Sequence, residues 1–386
     1  MIATPISAEF IHGTTELEHT ARGIKPHRLP QATRERHADQ QLSLMETQPS
    51  GVRLEFTTEA RSITLDIHST RVTYRGLQRA RGAVDVVVDG ADWDSRVLAQ
   101  GDQFEFDMET GHTALVEGAA DLVQIDGLPH GEKFVELWLP HNEAIELTSM
   151  HSDQPLSPRE QTRPVWVHHG SSISHGSNSI SPSRIWPAVA AKRANVSLHN
   201  FGFGGSAFAD PFMARVIRDT SADFISVKLG INIVNADAMR LRAFVPAVHG
   251  FLDTIREGHP TTPILLISPI FCGIHEETPG PGAIDPESFG TGTARFTATG
   301  RPGDTEQGRL TLQVIRTALK SLVDARTDDP NLSYLDGLRL YGQKDAERLP
   351  LSDSLHPDTA SHELIGERFA VAAFGRHGLF SGPSPN

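Results

Sequence analysis

The stretch Val165-Trp-Val-His-His-Gly170-Ser-Ser-Ile173 decides the fold of the second half of this chain. Its apolar run, Val165 to Val167, reads as a short buried strand. Gly170 then permits a tight turn, and the serines open a helix. A strand end of this kind can expose a weakly nucleophilic hydroxyl beside backbone N–H donors. The same spelling also serves an ordinary turn or helix N-cap, and it leaves two hydroxyls, Ser171 and Ser172, to choose between.

Downstream, short continuous apolar strands alternate with helical stretches. The strands are Val165 to Val167, Val196 to Leu198, Phe224 to Val227, Ile264 to Ile267 and Leu332 to Leu335. Helices are expected at Trp186 to Arg193, Ala238 to Glu257, Thr305 to Ala325 and about His362 to Ala373. This alternation implies an α/β domain, a doubly wound parallel sheet with helices on both faces. Phe271 to Asp304, rich in Gly, Pro and Thr, shows no helix or strand pattern. It follows a strand at its carboxyl end, where open α/β sheets bind ligands, so a substrate-contacting loop is expected there.

Upstream the period changes. Val52-Arg-Leu54-Glu-Phe56, Ile63-Thr-Leu65-Asp-Ile67 and Phe104-Glu-Phe106-Asp-Met108 alternate as half-buried strands do. Ala83 to Val88 ends at the turn signal Asp89-Gly90, and Phe134 to Leu139 is followed by Ile145-Glu-Leu147. An all-β sandwich, jelly-roll-like, is the expected architecture of residues 1–155, with residues 156–386 forming the α/β domain and Ser157 to Pro164 the linker.

The bulk numbers narrow the function. A chain of 386 residues suits two domains, and 38% hydrophobic with 22% charged residues marks a soluble globular protein. A formal net charge of -13 argues against a nucleic-acid partner, which needs a concentrated basic face. The single cysteine, Cys272, forbids an intramolecular disulfide. With no leader pattern and no apolar run long enough for a bilayer, a cytoplasmic location with no membrane association is expected. No metal is expected despite 19 histidines, since His168-His169 and His275-Glu276-Glu277 fit no zinc spacing and a solvated loop is the expected setting for the latter. His175 is read either as lining the pocket or as a surface residue on the following helix.

Asp353-Ser-Leu-His356 places a carboxylate and an imidazole three residues apart, so one turn brings both to the same side. A carboxylate that accepts the Nδ1 proton leaves Nε2 free to take a proton from a hydroxyl. Asn200-Phe-Gly202-Phe-Gly204-Gly205 and Gly230-Ile231-Asn232 each follow a strand and offer backbone or amide N–H donors for a developing oxyanion.

Taken in order, Gly170 to Ile173, Asn200 to Gly205, Gly230 to Asn232 and Asp353 to His356 resemble the four blocks of the SGNH hydrolase superfamily, also called GDSL esterases, over roughly residues 160–380. The resemblance implies Ser172 as nucleophile and His356 as base oriented by Asp353. It also implies an oxyanion hole built from the Ser172 N–H, Gly205 and Asn232. Two positions depart from the family pattern: Ser171 stands where an Asp is usual, and Ile233 where an Asp often follows the block-three Asn.

A β-sandwich ahead of an SGNH domain spelled Gly-Ser-Ser-Ile is also similar to salicylyl acyltransferases of actinomycete tetracycline biosynthesis. That resemblance implies transfer of an acyl group, salicylyl among them, from an acyl-CoA co-substrate to a polyketide hydroxyl, with no resident cofactor. The partners would then be a small-molecule acyl donor and a hydroxyl acceptor. The alternative is an esterase acting on a carbohydrate or small-molecule ester, with the sandwich as a binding module. Trp138, in an alternating strand, is expected to be buried rather than a sugar platform.

Overall fold

The computed structural model describes residues 1–75, 79–107, 110–288 and 294–380. The chain divides into two compact units. The first comprises Met1–Thr162 with Ile180–Arg184, the second Arg163–Ser179 with Ile185 onward. The excursion Ile180–Arg184 has a physical cause that no local pattern reveals. The buried carboxylate of Asp85 accepts hydrogen bonds from the Ser95 hydroxyl at 2.6 Å, the Ser183 N–H at 2.9 Å and the Ser181 hydroxyl.

In the first unit, an eight-stranded and a six-stranded sheet enclose one apolar core that includes Leu54, Phe56, Ile63, Leu65, Val86 and Leu137. The alternation read from the sequence is the alternation of burial: Ile63, Leu65 and Ile67 are fully buried, with partly exposed Thr64 and Asp66 between them. Ala83–Val88 pairs antiparallel with the largely exposed Ala91–Val97 across the Asp89-Gly90 turn. A left-handed Gly90, at φ 81°, suits such a two-residue hairpin.

Several elements escaped the pattern. Four short strands and the helices Gln31–His37 and Gln40–Glu46 precede residue 50, and Leu156–Pro158, its last two residues read as linker, pairs with Arg53–Thr58. Strands of two to five residues, largely polar and part-exposed, are too brief to display a period. The strand read through Met108 ends at Phe106, and Met108 lies outside the described residues. Trp138 is buried beneath the Arg53 guanidinium, 5.0 Å from its ring centre.

The second unit holds a five-stranded parallel sheet in the spatial order Ser197–Gly202, Val165–Gly170, Phe224–Lys228, Ile264–Ile267, Leu332–Leu335. Numbered along the chain this is 2-1-3-4-5, so strand order reverses at Val165–Gly170, and the crevice for a ligand opens at the carboxyl ends beside it. Side-chain alternation along that strand shows helices on both faces. Trp166 and His168 meet Trp186, and Trp166 stacks on Phe369 at 5.0 Å. His169, pointing the other way, stacks on Phe251 at 5.9 Å.

Trp186–Ala194, Leu241–Gly258, Leu312–Ala325 and Thr359–Phe369 are the helices expected from periodicity, and Pro211–Asp219 is one it missed. Phe271 to Asp304 corrects the expectation of an unstructured loop. Gly282–Ile284 pairs antiparallel with Phe296–Ala298, and Pro286–Ser288 and Pro302–Gln307 form 3-10 turns. Residues 289–293 of that loop lie outside the described residues.

His168 and His169 are fully buried. Burial lowers both pKa values, His168 well below the ordinary range with help from the charges of His169 and Lys228, and His169 to about 4. A histidine held neutral when folded takes up protons only on unfolding, so stability present above pH 6.5 is lost as pH falls. For His169 the window runs from about 6.5 down to about 4, with a slope on the order of 1.4 kcal/mol per pH unit. Urea unfolding across this window should show that decline. A flat profile would contradict the buried, neutral assignment.

Candidate active site

The helix Ser172–His175 begins directly after Val165–Gly170, and its two leading serines do different things. The Ser171 hydroxyl turns inward as N-cap and accepts the Ile173 N–H at 3.3 Å. The Ser172 hydroxyl lies 2.9 Å from His356 Nε2 instead. The geometry thus sets the Ser172 hydroxyl, and not that of Ser171, beside His356.

The short helix sits unusually close to the neighbouring strand. A Cβ on Gly202 would stand 2.5 Å from the His175 nitrogen, which only glycine avoids. Asn200 locks the same approach from the side. Its amide donates to the Ser174 carbonyl at 2.9 Å, and its Oδ1 accepts the Gly202 N–H at 3.0 Å. His175 is neither a pocket wall nor a surface residue: it is buried, with Nδ1 3.1 Å from the Gly202 carbonyl oxygen. Beneath the helix, His168 is held between the hydroxyls of Ser226 and Ser174, each at 2.7 Å.

Asp353 and His356 meet through a tight turn rather than a helix. Asp353 Oδ1 accepts the N–H groups of Leu355 at 2.9 Å and His356 at 2.6 Å, with Ser354 in the left-handed region at φ 68°. The turn folds the imidazole back over its own carboxylate, so that His356 Nδ1 lies 2.7 Å from Asp353 Oδ2. Burial raises the carboxyl's pKa, yet the net shift is downward, because the His356 side chain and these backbone donors favour the anion. An ionised Asp353 assigns the proton to Nδ1 and leaves the Nε2 lone pair facing Ser172.

The second oxygen of Asp353 has another donor. Asn178, in the left-handed region at φ 67°, gives its Nδ2–H to Oδ2 at 2.9 Å. Its sequence signal is only that of a turn asparagine, and nothing in the spacing identifies a carboxylate 175 positions away as its partner.

Gly205 lies in the turn after Ser197–Gly202 with φ 72°, and Asn232 lies in the helix Ile231–Asn235 after Phe224–Lys228. Asn232 is buried and its Oδ1 accepts the Ala207 N–H at 3.0 Å. That bond ties the third block to the second and fixes the amide so that its N–H donors point away from Ala207.

The long loop reaches the same place. The Phe296 N–H donates to the Asp353 carbonyl at 2.8 Å, and the Phe296 ring meets the His356 imidazole edge-on at 5.6 Å. His275, expected in a solvated loop, is buried instead, with Nε2 2.8 Å from Asn235 Oδ1, and Glu276 pairs with Arg316. Burial pushes the Cys272 thiol up to about 12, so it is no thiolate at neutral pH. Among the described residues no cluster of three His, Cys, Asp or Glu could hold a metal ion, and no helix is long and apolar enough to cross a membrane.

The arrangement is thus a hydroxyl on a strand-to-helix turn, an imidazole and a buried carboxylate in one hydrogen-bonded line. It can raise the nucleophilicity of the hydroxyl.

Comparison with known proteins places these parts. Residues 10–148 match the model described as the SsfX3 N-terminal domain, and residues 162–272 match the GDSL-like lipase/acylhydrolase family. The salicylyl-acyltransferase SsfX3 from a tetracycline biosynthetic pathway is 26% identical, with a TM-score of 0.76 over 93% of this chain and 92% of that one. A putative GDSL-like lipase from Bacteroides ovatus is 18% identical, with a TM-score of 0.66 over 94% of each. A family two carbohydrate esterase from Clostridium thermocellum, solved with cellohexaose, is 16% identical, with a TM-score of 0.54 over 83% of this chain and 91% of that one. No curated protein sequence matches the chain.

Asn178→Ala removes a hydrogen bond to a charged group worth about 1.5–3 kcal/mol. A lower denaturation midpoint with an unchanged circular dichroism spectrum is expected. An unchanged midpoint would mean that the bond contributes nothing net.

Proposed function

Since residues 10–148 match the model described as the SsfX3 N-terminal domain and residues 162–272 that of the GDSL-like lipase/acylhydrolase family, we propose that this chain is a serine-dependent acyltransferase. In this reading it moves an acyl group, salicylyl in the first instance, from an acyl-CoA to a hydroxyl of a polyketide acceptor. The observation that carries it is the line Ser172, His356, Asp353 at the point where strand order reverses. The likeness to a salicylyl-acyltransferase over both halves of the chain supports transfer rather than hydrolysis.

In the first half-reaction His356 Nε2 takes the Ser172 proton as Oγ bonds to the thioester carbonyl carbon. Negative charge builds on the former carbonyl oxygen, where the Ser172 and Gly205 N–H groups and the Asn232 amide serve as donors. The C–S bond then breaks, His356 returns the proton to the departing sulfur, and coenzyme A leaves as the thiol. The second half-reaction repeats the sequence with the acceptor hydroxyl. His356 deprotonates it, its oxygen attacks the acyl carbon, and Ser172 regains its proton as the product ester leaves.

Asp353 stays anionic throughout and stabilises the transient imidazolium, as its lowered pKa allows. Asn178 is a positioning residue that holds the carboxylate. Ser172 is only 8% exposed, and Phe296 lies against His356. Shielding of this kind favours a bound acceptor hydroxyl over bulk water, an effect of orientation and desolvation rather than of extra catalytic groups. A cytoplasmic setting, where acyl-CoA is supplied, completes the proposal.

Ser172→Ala should abolish turnover and keep the fold, and Asp353→Asn should lower kcat by about 10⁴-fold. Retained acyl-ester cleavage in Ser172→Ala removes the nucleophile assignment. To separate the two chemistries, salicylyl-CoA is supplied with and without polyketide hydroxyl acceptors and products are identified by mass. A salicylate ester is expected. Free salicylate alone with every acceptor would leave an esterase.

A further inference from the structure

The first unit contains a cavity of about 760 Å³, lined only by residues of that unit, between its eight-stranded sheet and the helix Gln40–Glu46. That volume falls within the roughly 300–1,000 Å³ of small-molecule sites. Its floor is the sheet face turned away from the core. With Ile63, Leu65 and Ile67 inward, the two-residue period sends Thr70, Val72 and Tyr74 outward. The adjoining parallel strand places Phe104 opposite Val72 and Phe106 opposite Tyr74.

An outward sheet face is ordinarily polar. Here it carries three aromatic rings, all partly exposed. Tyr74 and Phe106 lie 5.9 Å apart with planes inclined by 31°, Phe104 braces Phe106 edge-on at 5.2 Å, and the Arg79 guanidinium lies 5.8 Å from the Tyr74 ring centre, a charged donor beside this aromatic platform. The walls are different in kind. Gln40 and Ser43 from the helix, Thr70 and Glu146 from the sheet, and Lys25 supply donors and acceptors around the platform. Glu146 is already oriented: one oxygen accepts the Thr20 hydroxyl at 2.5 Å and the other lies 3.7 Å from the Arg22 guanidinium, and a carboxylate so held keeps lone pairs that can accept a further donor.

A pure hydrocarbon ligand would bury those polar groups unpaired, and a compact ion would leave the rings unused. A polyhydroxylated ring meets both demands. Its axial C–H face is apolar and seats on an aromatic surface, whose face is the negative end of the quadrupole, while its equatorial hydroxyls reach outward to the walls. We propose that this cavity is a saccharide site: a pyranose stacks on Tyr74 and Phe106, and its hydroxyls bond to Gln40, Thr70 and Glu146. The site stands whether Ser172 transfers or hydrolyses.

The test is calorimetric titration of the full chain in a Ser172→Ala background with cellohexaose, xylohexaose and mannohexaose. Saturable binding of at least one oligosaccharide is expected. Tyr74→Ala and Phe106→Ala should each weaken it about tenfold, and Tyr74→Phe, which keeps the stacking face, should bind nearly as the parent does. Folding of each variant is checked by circular dichroism, and Tyr74→Phe serves as the readout should an alanine variant unfold. The proposal is overturned if none of the three binds, if binding is indifferent to Tyr74→Ala and Phe106→Ala, or if an aromatic acid such as salicylate displaces the sugar at that cavity.

Discussion

The 2.9 Å contact between His356 Nε2 and Ser172 Oγ joins residues 184 positions apart, and the rest of the second unit can be understood as what makes that contact possible. Local preference holds neither partner in place. Ser172 is set by the turn at the end of Val165–Gly170, and that turn is held by the helix pressed against Gly202. His356 is set by the Asp353 turn, with a left-handed Ser354 and two backbone N–H groups on one carboxylate oxygen. Such strain persists only where surrounding bonds over-determine it, and Asn178 and the Phe296 N–H are among those bonds.

The order 2-1-3-4-5 explains why the connections after different strands lie along one edge. All five strands run parallel, so every strand-to-helix connection leaves from the same edge of the sheet. Ser172, Gly205, Asn232 and the loop bearing Phe296 each follow a different strand. The fold therefore gathers residues from across the chain without requiring them to be near in sequence. The buried polar residues under the helix, His168 with Ser174 and Ser226, replace apolar packing there with directed bonds. Fully satisfied networks of this kind tend to specify one arrangement of a site.

Legibility in the sequence followed burial. Ile264–Ile267 and Leu332–Leu335, strands bounded by polar residues, were readable to the residue, and Ile63 to Ile67 announced its inner face by alternation. The short strands before residue 50, and the three-residue hairpin partners Gly282–Ile284 and Phe296–Ala298, carry too few positions for any period to emerge. Ser172, Asp353 and His356, which the structure brings into one hydrogen-bonded line, could be singled out because each sits in a short, ordered block. Asn178, Phe296 and the inward-turned His175 could not. Their roles arise from partners that only the folded sheet brings near, and an aromatic or asparagine within a loop has no spacing that identifies such a partner. Asp85 is the same case in the first unit, since two of its serine partners, Ser181 and Ser183, come from beyond the Ser172 helix.

Covalent acylation of Ser172 Oγ is the central event of the proposed function, and one measurement isolates it. Salicylyl-CoA is mixed with the protein without acceptor, quenched in acid, and the digested chain is mapped by mass spectrometry. One salicylyl group on the peptide bearing Ser172, absent from Ser172→Ala, is the predicted result. Coenzyme A release with no acylated serine, or with the acyl group on another residue, would contradict it.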